Sequence, residues 1–358
     1  MKKFKAMLLA LIVTAAMTTG CAVGGNDSNS GVSDTTDPAE TTSAADTASL
    51  ETENPDEETA EATEATEPEN GDEDDEENYD TGDAALDNIR NQDEIGESEL
   101  LVISFGTSFN DSRRLTIGAI ENDLEAAFPD FSVRRGFTAN IVIDHVERRD
   151  GIHIDDINEA LDRAANNGVK TLVIQPTHLM NGIEYEEIVG KVANYSDAFE
   201  KVVFGEPLLT SDDDFKRVEK AITEWTAEYD DGETAVVFMG HGTEHEANGV
   251  YPKLQDMLTS DGYSNYFIGT VEAAPTLDDV LAAVKNGGYK RVILEPLMVV
   301  AGDHANNDMA GSDEDTWKTA FENEGYEVVC LLRGLGENEE IRQIYIDHAQ
   351  AAINSITE

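Results

Sequence analysis

Four of the seven histidines, His178, His241, His245 and His304, fall in polar segments that directly follow apolar runs: "QPTHLMNGIEYEE" (175–187), "FMGHGTEH" (238–245) and "EPLMVVAGDHANNDMAG" (295–311). A scatter of histidines would not concentrate in this way. Neutral imidazole is a transition-metal ligand and also a proton acceptor near neutral pH. His241 stands between Gly240 and Gly242, which permit unusual backbone and leave space beside the ring. It reads either as a ligand at a strand end or as a turn histidine bonded to backbone. His245, one helical turn on, is a neighbour of that site or an exposed residue. Among carboxylates, Glu206 follows "VVFG" and precedes Pro207, which makes it the candidate third ligand. Glu184, Glu186 and Glu187 open a helix, where acids are favoured by the dipole alone. A fourth polar segment, "SFGTS" (104–108), closes another apolar run. No Cys-x-x-Cys, His-Glu-x-x-His, Walker loop or Gly-x-Gly-x-x-Gly occurs, so hydride transfer, phosphoryl transfer and zinc proteolysis lack support. "GHGT" contains no serine nucleophile.

The elements that must position these residues alternate along the chain. Apolar runs at 100–106, 131–137, 170–176, 201–207, 234–240, 264–270, 290–296 and 326–332 predict strands, and amphipathic stretches at 112–128, 156–167, 213–229 and 276–287 predict helices. Short strands that are apolar throughout, separated by helices, indicate parallel sheets covered on both faces. The chain also repeats. "NNGVKTLVIQPTHLMNGIEY" (166–185) overlays "NGGYKRVILEPLMVVAGDHA" (286–305), and "LLVISFGTS" resembles "AVVFMGHGT". The fold class is therefore α/β, with two similar doubly wound parallel-sheet halves, 98–232 and 233–358, facing across a cleft. Ligands in such sheets bind beyond the carboxyl ends of the strands, where the histidines lie.

The first quarter of the chain is of another kind. Residues 1–21 read as an export signal, with Lys2, Lys3 and Lys5 before "AMLLALIVTAAM". The sequence "TTGC" resembles a lipobox and would make Cys21 the lipidated residue. Residues 22–97 are expected to be an acidic disordered tether; from Ala22 to Asn78 there are 20 Asp and Glu and no Lys or Arg, too little apolar surface to offset ordering entropy. The protein is thus expected to be exported and held at the membrane by a lipid anchor. Removing the tether's −20 and the leader's +3 from the total of −51 leaves −34 on residues 79–358, which argues against nucleic-acid partners. The second cysteine, Cys330, lies in the apolar run "YEVVCLL" and implies no disulfide.

The segments "ISFGTS", "PTHLMNGIEYEEI", "GHGTEHEANGVYPKL", "GTVEAAPTLDDVL" and "PLMVVAGDHANNDMAG" resemble, in order and spacing, the anaerobic sirohydrochlorin cobaltochelatases, class II chelatases related in fold to ferrochelatase. The resemblance spans residues 99–357. It implies a homo-oligomer that inserts Co²⁺ into a tetrapyrrole without a nucleotide. It also implies that His178 and His241 face each other and bind the metal, with Glu206 as the matching carboxylate and His178 as proton acceptor. Borderline ligands of this kind suit Fe²⁺, Ni²⁺ or Zn²⁺ as well. The loop Ser104, Phe105, Gly106, Thr107 and Ser108 would bind the macrocycle, with Phe105 stacking on the ring. Asp303, His304 and Asn307 would shape the cleft floor and orient His241, with His245 beside them. Arg113, Arg114, Arg134 and Arg135 would supply positive field for an octa-acid substrate. The export signal keeps two alternatives in view: an extracytoplasmic haem, tetrapyrrole or metal-binding lipoprotein without turnover, and an Fe²⁺ or Ni²⁺ chelatase.

Overall fold

The computed structural model describes residues 81–93 and 95–356. The export signal, Cys21 and the acidic stretch up to residue 80 lie outside the described residues. Each half contains a four-stranded parallel sheet: order β2-β1-β3-β4 in the first and β6-β5-β7-β8 in the second. The strands are β1 Ser98–Ser104, β2 Ser132–Phe137, β3 Thr171–Pro176, β4 Lys201–Phe204, β5 Thr234–Gly240, β6 Tyr266–Thr270, β7 Arg291–Pro296 and β8 Glu327–Cys330. Seven fall inside the apolar runs and β1 begins and ends two residues before its run; the same strand order in both halves is the structural form of the repeat. β5 is buried at every position, as a strand covered on both faces must be.

Ten α-helices cover these sheets among the described residues: α1 Asn110–Leu115, α2 Ile117–Ala127, α3 Asn140–Asp150, α4 Ile157–Asn166, α5 Ile183–Ala193, α6 Asp212–Trp225, α7 Val250–Ser260, α8 Leu277–Gly287, α9 Trp317–Asn323 and α10 Glu339–Ser355. α4, α6 and α8 each begin with a capping box, on Asp156, Ser211 and Thr276, which satisfies the otherwise unpaired first-turn N–H groups. The helix expected over 112–128 breaks at Thr116, whose hydroxyl donates to the Ser112 carbonyl at 2.5 Å. α10 belongs by sequence to the second half but packs on β3, β4, α2 and α6 of the first. One hydrophobic cluster accordingly joins Leu100 and Val102 of the first sheet, Val236 and Phe238 of the second, and Ile344 and Tyr345 of α10.

The expected tether ends earlier than residue 97. Asp87 accepts from Arg113 Nε at 2.7 Å and from Arg135 Nη1 at 2.7 Å, and Arg135 also forks onto Glu121. Two fully buried guanidinium groups need carboxylates, and residues 81–93 deliver one. This also corrects the expected role of the arginine cluster. Arg113 and Arg135 are buried in ion pairs, Arg134 is buried against Gln92, and Arg114 pairs with Asp111; none of them lines the cleft.

Glu99 on β1 is 1% exposed, and burial pushes its carboxyl up to about 8 despite the nearby Arg134 charge. Between about pH 4.5 and 8 the unfolded chain releases a proton that the folded chain keeps, so this group costs stability progressively as pH rises through that window. Glu99→Gln is expected to leave stability unchanged near pH 4.5 and to add about 2–4 kcal/mol at pH 8. Urea unfolding at both pH values checks this, and an equal effect at both would refute it.

Candidate active site

Two strands of each sheet, β1 and β3 in the first and β5 and β7 in the second, end on one cavity of about 1160 Å³. The first half contributes the loop after β1, the inner face of α3, and the segment from Thr177 to Tyr185 after β3. The second half contributes His241, Gly242 and Thr243 after β5, and the segment from Leu297 to Asn307 after β7. These are equivalent positions in the repeat, so the duplication places two strand ends from each half around one space. The halves are bonded there: Ala301 N–H donates to Ser112 Oγ at 3.0 Å.

His241 and His304 are ring neighbours, 4.8 Å between centroids at an interplanar angle of 79°. Each has one ring nitrogen engaged and the other turned from it. His241 Nδ1 lies 2.8 Å from the Gly242 carbonyl, which can only accept, so Nδ1 carries the proton and Nε2 holds a lone pair. His304 Nδ1 lies 2.6 Å from Asp308 Oδ2, an arrangement that fixes the tautomer of metal-binding histidines and strengthens the free nitrogen as a donor. The Asp308 bond raises the His304 pKa; burial opposes it, and the charges of Asp308, Asp303 and Glu272 add to the rise. His304 therefore stands beside His241 as an equal, where the sequence had suggested a residue orienting it from behind.

His178 also lines the cavity, but deeper: it is 8% exposed, and neither ring nitrogen has a hydrogen-bond partner among the described residues. Burial lowers its pKa to about 4. Its loop is held by Tyr345 of α10, whose hydroxyl donates to the Thr177 carbonyl at 2.9 Å. Glu184, at the start of α5, brings Oε2 to 3.4 Å from His178 Nε2; burial raises its pKa while the neighbouring His241 lowers it. Glu184 thus lies between the two histidines. The sequence attributed it to the helix dipole, and only its position six residues after His178, in the first turn of the helix that follows the β3 loop, could have singled it out. Glu272 was also missed: its N–H donates to the His241 carbonyl at 2.8 Å, and its charge reaches His304.

Glu206, the expected carboxylate, is exposed and does not line the cavity. β4 is the edge strand and stops at Phe204. The Glu206 carbonyl is then pinned by Gln175 Nε2 at 3.1 Å and His348 Nδ1 at 2.9 Å, at the rim rather than at the centre. His245 likewise lies outside the lining; its Nδ1 accepts from Ala247 N–H at 3.1 Å and caps a short turn. Asp303 and Asn307 line the cavity and bond to each other. In the loop after β1, Ser104 Oγ accepts from Thr177 Oγ1 at 2.7 Å and Thr107 Oγ1 accepts from the Phe109 N–H at 3.2 Å. Ser104, Thr107 and Ser108 are buried, while Phe105 remains 47% exposed at the mouth. The glycines around His241 make room for protein rather than ligand. A Cβ on Gly240 would lie 2.2 Å from the Tyr251 ring, and one on Gly242, at φ +87°, 2.8 Å from Thr270.

Two doubly wound halves closing a histidine-lined cavity suit the handling of a divalent cation. The cobalt chelatase (CbiK) family matches residues 98–354. The sirohydrochlorin cobaltochelatase of Salmonella typhimurium is 40% identical over 259 residues, 72% of this chain and 97% of that relative. Sirohydrochlorin cobaltochelatase CbiKC of Nitratidesulfovibrio vulgaris is 30% identical over 276 residues, 76% and 97% respectively. Among solved structures, SirB from Bacillus subtilis with Fe³⁺ superposes with a TM-score of 0.49 at 11% identity, covering 74% of this chain and 98% of that one. The chain belongs to the cobalt chelatase (CbiK) family and is a metal chelatase.

Proposed function

We propose that this protein inserts Co²⁺ into sirohydrochlorin, with His241 and His304 as the metal-delivering pair. The observation that carries the reading is the pair itself: two adjacent imidazoles, each with Nδ1 tied to an acceptor, leave two Nε2 lone pairs for one cation. Neutral nitrogen donors suit Co²⁺ and hold it loosely enough to hand over. Besides Asp303 and Asp308, Glu184 and Glu272 are the nearby carboxylates. Glu184, between His178 and His241, is placed to complete the metal's coordination or to take a proton as the macrocycle loses its two pyrrole N–H protons. His178, kept neutral by burial, presents its ring to the cavity without holding a charge there. Phe105, Ile141 and Ile183 are exposed apolar residues on the cavity lining, the surface a flat macrocycle needs.

The test is anaerobic incubation of the purified protein with sirohydrochlorin and Co²⁺, followed by the visible spectrum, with Fe²⁺ and Ni²⁺ in parallel. A Co²⁺ rate above the uncatalysed one and above the other metals is expected. Tight haem binding together with no insertion of any metal would replace this reading by that of a carrier. The pattern of residues 1–21 supports export with Cys21 as the lipidated residue, and the two-sheet body is then held outside the membrane on the acidic stretch. Loss of the protein from the membrane fraction in Cys21→Ala checks this part. Assembly as a homo-oligomer is part of the same proposal.

A further inference from the structure

The cavity is the substrate site of a body carrying −34, yet its ligand in the reading above is an octa-acid. Repulsion of this kind slows encounter and weakens binding unless the site itself is locally positive. The residues of α3 that line the cavity are Ile141, Val142, His145, Arg148 and Arg149, a spacing of one, four, seven and eight that is a single helical face. Apolar side chains occupy its first turn and two guanidinium groups its last. Arg148 and Arg149 are the only Arg or Lys among the described lining residues.

The two differ in what they are free to do. Arg149 is committed: it forks onto Asp150 at 3.0 and 2.7 Å and donates to the Ser108 carbonyl at 2.6 Å, so it fixes the loop after β1 against α3. Arg148 is exposed and has neither an ion pair nor a side-chain hydrogen bond among the described residues. In a chain with 75 acidic against 24 basic residues, that is not for want of partners. Ile141, 77% exposed two turns away on the same stripe, leaves an apolar surface leading to the unpaired charge.

We propose that Arg148 receives a peripheral carboxylate of the tetrapyrrole in a two-pronged charge-assisted pair, with the ring lying over Ile141 and Phe105, and so sets which edge of the macrocycle faces the His241–His304 pair. The planar guanidinium matches a carboxylate as an ammonium does not. This rests on the chelatase reading for the identity of the ligand but not for its binding, and the two separate in the experiment.

The full-length protein and its Arg148→Gln and Arg148→Lys variants are titrated with metal-free sirohydrochlorin by fluorescence quenching at several salt concentrations, and with Co²⁺ alone by calorimetry. Arg148→Gln is expected to weaken sirohydrochlorin binding about 10- to 30-fold and to flatten its salt dependence. Arg148→Lys should fall between, with Co²⁺ binding unchanged and KM for the tetrapyrrole raised more than kcat is lowered. Sirohydrochlorin binding by Arg148→Gln within twofold of the unsubstituted protein, or an equal loss of Co²⁺ binding, overturns the proposal. If the unsubstituted protein binds sirohydrochlorin through Arg148 but inserts no metal, the chelatase reading fails and this one stands.

Discussion

His241→Ala and His304→Ala are each expected to lower the rate of Co²⁺ insertion by about 10²–10³-fold at saturating tetrapyrrole, because each removes one of two nitrogens that act on the same ion. The double substitution should cost little more than either single one, since a cation held by a lone remaining imidazole is already lost. His178→Ala should cost less, about tenfold, as neither ring nitrogen of His178 is fixed by a hydrogen bond among the described residues, whereas Nδ1 of His241 and of His304 is. Asp308→Asn removes the carboxylate behind His304 and should weaken Co²⁺ binding about 10- to 100-fold while leaving the fold intact. Initial rates and Co²⁺ titrations of the four variants check this; a His304→Ala protein retaining half the normal rate would remove His304 from the metal pair.

Asp87→Ala is expected to destabilise the protein by about 3–5 kcal/mol, the usual consequence of stranding buried charge. Arg113 and Arg135 are fully buried, and Arg135 would keep only Glu121. At roughly 2–4 °C per kcal/mol for a body of this size, the melting temperature should fall by about 8–15 °C. Burial alone would raise the Asp87 pKa, but the hydrogen bonds and charges of Arg135 and Arg113 outweigh it and hold the carboxyl below its ordinary value. Its contribution is therefore complete above the unfolded carboxylate pKa and is lost as pH falls through the lower folded value. Asp87→Ala should accordingly lose less relative to the unsubstituted protein at pH 3 than at pH 7. A calorimetric scan at pH 7 that shows no shift would refute the network's structural role.

The strands were readable because a sheet covered on both faces demands unbroken apolar runs, and such runs admit few other interpretations. The internal repeat added the pairing of halves and, with it, the side on which the cavity lies. What escaped was whatever depended on distance in space. His304 looked like a residue behind the site because it lies two loops from His241 in sequence, and only the equivalent register of β5 and β7 brings their ends together. Glu206 had the right neighbours in sequence, but an edge strand three residues shorter than its apolar run left it at the rim. Asp87 lay in what composition marked as tether, and nothing in "DTGDAALDNIR" announces two arginines 26 and 48 residues further on. The arginine pair on β2 looked available for substrate on charge alone, whereas burial had already committed it.

The crossing of α10 onto the first sheet has a mechanical consequence. The last helix of the chain lies over β3 and β4 and its Tyr345 holds the carbonyls of Thr177 and His178. The two sheets are thus laced together by their own terminus, and cannot swing apart about a single connecting segment, as a clamshell would, without peeling that helix away. The spacing of the cavity's histidines is then a property of the folded chain rather than of its cargo. The cavity whose lining includes Phe105 and Ile141 is thus framed by elements that the last helix holds in place.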